Sequence, residues 1–199
     1  MLAAVPEVES ARKRGPAPGA TREEVLELAR SRFLEGRRVD VQAIAAERGV
    51  GRATVYRWFG SREGLIAEAM LGVFERRVAD ARAAASGRGA TALLDTLDQI
   101  YRGLSVAVNI RAFIEREPAV ALPLMTSSRG PVHPRVVELI RDVIDTEVES
   151  GDYVAPTDTA TLAYVLVRLA EALLFNYEFD EVPKDVERMR EVTAALLGA

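Results

Sequence analysis

The 199 residues contain no cysteine, which excludes disulfides, thiolate metal sites and cysteine nucleophiles. There is a single histidine, His133, so multi-histidine metal centres are excluded as well. No nucleophile elbow and no phosphate-binding glycine loop occurs, and the sequence predicts no catalytic residue, no metal site, no cofactor and no enzyme activity. Long apolar runs are missing. The best candidate, Leu162 to Phe175, is too short to span a bilayer and is interrupted by Arg168 and Glu171, so no membrane partner is expected. Met1 to Val5 lack the basic start and apolar core of a secretory signal, which points to a cytoplasmic protein. Alternating apolar and polar residues, the mark of strands, are missing too, and the expected fold class is all-α.

What is present is a globular composition, 49% hydrophobic and 28% charged, with an uneven charge. The net charge is −4, yet Ser10 to Arg62 carries twelve basic residues against six acidic ones, and residues 71–199 carry fourteen against twenty. A basic front and an acidic rear place any contact with phosphate at the front.

Residues 1–20, with Pro6, Gly15, Pro16, Pro18 and Gly19, have no apolar period and read as a flexible basic arm. Arg12, Lys13 and Arg14 there either track a DNA groove or form an unspecific basic tail. Thr21 with Glu24 forms a capping-box pattern ahead of the stripe Val25, Leu28, Ala29 and Phe33. Asp40 caps a short helix carrying Ile44 and Ala45 and stopped at Gly49, and Ala53 to Phe59 forms a second, ended by Gly60. Ser61 caps a long helix that frays near Ser86 to Gly89. Further helical stripes run from Leu93 to Val108, with Asn109 as a candidate cap for the next helix, then from Val136 to Val148, from Asp158 to about Tyr177 and from about Pro183 to Leu197. Pro118, Pro123 and the segment from Ser127 to Pro134 break the middle into short pieces.

The stretch from Asp40 to Leu65 carries the most information. Gly49 allows the left-handed turn between two short helices, and Val50, Val55 and Phe59 face back onto the first of them. Arg52, Ala53, Thr54, Tyr56, Arg57 and Trp58 are left outside. Small residues let the backbone approach bases, an arginine can fork onto guanine, and hydroxyl and indole groups can donate to phosphate. The alternative is an ordinary helical hairpin with a wet face, but such faces rarely display Tyr and Trp beside arginines. The pattern Ile44-Ala45, Gly49-Val50, Thr54-Val55-Tyr56, Phe59, Ser61-Arg62-Glu63, Leu65 resembles the DNA-binding domain of the TetR family over Thr21 to Met70. Gly51 stands where the family usually has serine, and Arg62 where lysine is common. The resemblance implies a three-helix DNA-binding head at residues 21–66, and a helical ligand-binding and dimerising body at residues 67–199. It further implies Arg52, Ala53, Thr54 and Arg57 at bases, and Tyr56, Trp58 and Arg62 at phosphates. The expected protein is a ligand-responsive homodimer, a repressor on a palindromic duplex DNA operator. The alternative is a factor of the same architecture with no small-molecule effector. Val132 to Phe175 resembles regulators associated with quorum-signal degradation, which fixes no ligand.

In the body, Tyr101, Phe113, Met125, Phe175 and Tyr177 are candidates to line a cavity for a largely apolar effector, with core packing as the default for each. Arg168 and Glu171 lie three apart on a helix that is apolar nearly all round, and charges there need partners. They read either as a ligand-orienting pair or as a structural ion pair. His133 reads as a turn or surface histidine before a ligand contact. Leu162, Leu166, Leu169 and Leu173, with Val186, Met189, Leu196 and Leu197, are expected to form a four-helix interface between two copies.

Overall fold

Local capping starts the first helices where the sequence places them. Thr21 accepts from the Glu24 amide at 3.2 Å while the Glu24 carboxylate accepts from the Thr21 amide at 2.6 Å, and helix α1 runs Arg22–Leu34. Asp40 accepts from the Ala43 amide at 2.8 Å to start α2, Val41–Glu47. Helix α3, Arg52–Phe59, starts at Gly51 without a side-chain cap, and Ser61 accepts from the Gly64 amide at 3.0 Å to start α4, Arg62–Ala84. The computed structural model describes residues 20–174 and 182–199. Arg12, Lys13 and Arg14 of the arm, and Phe175 and Tyr177, lie outside the described residues.

Six further helices follow: α5 Gly89–Ser105, α6 Val108–Arg116, α7 Pro118–Thr126, α8 His133–Glu149, α9 Thr159–Leu174 and α10 Val182–Leu197. Among the described residues there is no strand, and the fold is all-α. Pro118 sits in the first turn of α7 and Pro134 in the first turn of α8, where a missing N–H costs nothing. Pro123, expected to break the chain, lies inside α7 and does not end it. Asn109 does not cap: α6 starts at Val108, and Asn109 is inside its first turn.

Apolar side chains form two clusters rather than one. The first joins α1 to α4 around Val25, Ile44, Val55, Leu65 and Ile66, and takes in Phe113, Ile114 and Leu124 from α6 and α7. The second gathers Leu93, Leu97, Ile100, Ile144, Leu166 and Met189 from α5, α8, α9 and α10. Helix α4 passes through both, and Val136 packs against both. Gly64 shows how tightly the first is built, because a β-carbon there would overlap the carbonyl oxygen of Phe59 and push α3 away from α4.

Candidate nucleic-acid interface and body cavity

Helix α3 is held from below. Gly49 has φ +64° in the turn before it, and Val55 and Phe59 are buried against α1, α2 and α4. Arg22 lies over the Phe59 ring at 4.5 Å and bonds Glu68 at 2.6 Å, pinning α1 to α4 beside it. The opposite face carries Arg52, Ala53, Tyr56 and Arg57, all exposed, with Thr54 and Trp58 half-buried. Trp58 stacks edge-on to Phe59 at 6.5 Å, so its ring also braces the helix. Arg52 and Arg57 have no hydrogen-bond or ion-pair partner among the described residues. This is a rigid short helix presenting unneutralised guanidinium groups beside small residues, which is the chemistry of a groove reader.

Arg62 is placed differently from the other six. Its guanidinium is 18% exposed, donates to the Val39 carbonyl at 2.7 Å and forks onto Glu117 at 2.7 and 2.8 Å. Arg38 lies 3.7 Å from the same carboxylate. The bonds from Arg62 hold the Glu117 carboxyl below the usual carboxylate range, although partial burial works the other way. The resemblance puts Arg62 at a phosphate, whereas in the folded chain it ties the head to the junction of α6 and α7. The sequence gives no hint of this tie, because its two ends are 55 residues apart. Helix α6 adds further ties: Phe113 meets Phe33 edge-on at 6.1 Å, and Arg116 donates to the Gly36 carbonyl.

A cavity of about 110 Å³ lies where the two clusters meet. Tyr101, Met125 and Glu171 line it, as do Phe33 of α1, Met70 and Arg77 of α4, and Asn109 and Ile110 of α6. It is bounded by α5 and α9 and reaches to the head. Phe113 instead faces the head beside Phe33 and does not line this cavity. Arg168 stands behind the wall. It donates to Glu171 at 2.7 Å and to the Thr126 carbonyl at 2.7 Å, and packs over the Tyr164 ring. His133 is not a surface residue. It is 2% exposed, with Nδ1 2.7 Å from the second Glu171 oxygen. Pro134 after it reads as a break, yet it starts α8 and leaves the imidazole turned inward. Both oxygens of Glu171 are therefore engaged by the protein itself.

The expected interface residues need correction. Leu162, Leu166, Val186, Met189 and Leu197 are buried in the chain's own second cluster, because α9 and α10 pack on each other and on α8 and α5. Among the described residues, the large apolar side chains these helices expose are Tyr164, Val165 and Val192, at 45, 40 and 43%. Helix α9 is therefore not buried all round within one chain.

Comparison with known proteins agrees with this architecture. The family model described as bacterial regulatory proteins, tetR family, matches residues 36–69, and that described as tetracyclin repressor-like, C-terminal domain, matches residues 88–198. No curated protein matches the chain in sequence. Among solved structures, the transcriptional repressor QsdR of R. erythropolis is 27% identical with a TM-score of 0.77, covering 89% of this chain and 94% of that one. The repressor AlkX from Dietzia sp., implicated in biodegradation of n-alkanes, is 21% identical with a TM-score of 0.61, covering 90% and 97%. A regulator from Rhodococcus sp. is 18% identical with a TM-score of 0.53, covering 88% and 97%. No helix among the described residues is long and apolar enough to cross a membrane. With a head that displays exposed arginines from a helix-turn-helix, and matches to both its parts, the chain belongs to the TetR family of DNA-binding transcriptional regulators.

Proposed function

We propose that the protein is a cytoplasmic, ligand-responsive homodimeric repressor that inserts α3 of each copy into successive major grooves of a palindromic operator. The observation that carries this reading is the outward face of α3. Arg52, Ala53, Thr54 and Arg57 meet base edges and Tyr56 and Trp58 meet phosphates, while Arg62 serves the complex by fixing the head on the body. One short helix reads too few bases for useful specificity, and two-fold symmetry supplies the second reader about 34 Å away. The exposed Tyr164, Val165 and Val192 on α9 and α10 form the face that meets the second copy.

Response to an effector follows from α6. Asn109 and Ile110 on this helix line the cavity, and Phe113, Arg116 and the adjoining Glu117 grip the head. A ligand that fits the cavity better with α6 shifted biases the spacing of the two heads by its differential affinity for the two arrangements.

Gel-shift titrations test the head. Arg57→Ala weakens operator binding by about 1–3 kcal/mol and relaxes base preference, whereas Tyr56→Phe weakens operator and scrambled duplex alike. Wild-type affinity falls steeply with salt as counterions are released. Unchanged binding in both variants removes α3 from the mechanism. For assembly, sedimentation at micromolar concentration shows a dimer that Tyr164→Asp with Val165→Asp dissociates. A wild type that is only monomeric overturns that part.

A further inference from the structure

Among the described residues, the walls of the cavity carry two charged side chains, Glu171 and Arg77. Glu171 is already balanced, since its two oxygens are taken by Arg168 and His133. Arg77 is not: it has no hydrogen-bond or ion-pair partner among the described residues, although it is half-buried. The guanidinium lies against the bare backbone of Gly103 in the last turn of α5, where any β-carbon would overlap it. Arg77 sits at the partly exposed rim of the cavity with Leu104, Ala107 and Asn109, while the inner wall, including Ile100, Met125 and Leu166, is buried. A half-buried cation with no partner among the described residues, at the mouth of an apolar cavity, calls for an anion that brings its own apolar body.

We infer that the cavity takes a monocarboxylate with a single slender aliphatic tail, the carboxylate forking onto Arg77 at the rim and the tail running inward. The planar guanidinium matches a carboxylate in two parallel hydrogen bonds. One cation balances one negative charge, which disfavours a phosphate monoester dianion. The volume of the void bounds the tail. At about 110 Å³ it is smaller than the void of about 150 Å³ that holds a benzene ring, so as it stands it favours a short unbranched chain over a fused-ring skeleton. Met70 and Met125 in its wall are unbranched and can swing aside for further methylenes. This inference rests on the reading of the body as an effector-binding domain.

Isothermal titration of the full chain with octanoate, 1-octanol and octylammonium tests it. Three proteins are compared: wild type, Arg77→Met, and Gly103→Ala, which keeps the charge but displaces it. The expected result is that wild type binds octanoate at least about tenfold more tightly than 1-octanol, the size of one charge-assisted pair, and does not bind octylammonium. In both variants that preference disappears while affinity for 1-octanol stays within about twofold. Equal affinity for octanoate and 1-octanol in wild type overturns the proposal, as does a preference that survives both substitutions or the absence of any binding. If Arg77→Met does not fold, wild-type selectivity and Gly103→Ala decide alone. Operator release, followed by gel shift, is read separately. Octanoate that binds through Arg77 without releasing DNA supports the site and defeats the effector-response reading, whereas release by 1-octanol and octanoate alike in all three proteins defeats the site alone.

Discussion

The head and the body solve opposite problems with the same kind of helix. In the head the interior is closed and the chemistry faces out: Ile44, Val55 and Leu65 fill the centre, and Arg52 and Arg57 stand exposed on the surface of α3. In the body a cavity is left among apolar side chains, and Glu171 in its wall is held by Arg168 and His133. A surface that must fit a rigid external partner needs a filled support. A site that must respond to a small partner needs room to rearrange.

Substitutions that probe the two interiors sharpen this contrast. Leu65→Ala leaves a hole in the closed interior and costs about 3–5 kcal/mol, read from urea denaturation. Leu104→Ala, at the half-exposed rim of a void that already exists, costs about 1 kcal/mol. Equal costs would break the comparison. Glu117→Gln probes the seam between the regions. It leaves the Arg62 guanidinium without its carboxylate and costs about 1–2 kcal/mol at pH 7. Because the Glu117 carboxyl is held below its usual range in the folded chain, the stabilisation is complete above that range. It fades as pH falls through the lowered value, so the gap between wild type and Glu117→Gln closes on acidification. Ser61→Ala, which removes the cap at the start of α4, is expected to cost about 1 kcal/mol, no more than Leu104→Ala.

The two regions also differ in how much of them the sequence discloses. The caps at Thr21, Asp40 and Ser61 act over three residues, and the turn at Gly49 is a local backbone requirement, so the head was readable from neighbours in the chain. The outward face of α3 follows from helical spacing once Val55 and Phe59 are placed inside. The body depends on distant pairs. His133 meets Glu171 38 residues later and Arg62 meets Glu117 55 residues later, and no local pattern announces either. Helical periodicity correctly marks Leu162, Leu166 and Met189 as apolar positions. It does not say whether such a stripe meets its own chain or a second copy, and here the chain's own α5 and α8 cover it.

The open interior of the body has a mechanical consequence. A void is volume that the folded chain occupies and the unfolded chain does not, so compression favours states that eliminate it. Hydrostatic pressure therefore acts mainly on the seam between the two clusters, loosening α5, α6 and α8 around the cavity while the filled head, with Gly64 pressed against Phe59, yields later. A molecule seated in the cavity removes that compressible space, and the body then stiffens toward the behaviour of the head.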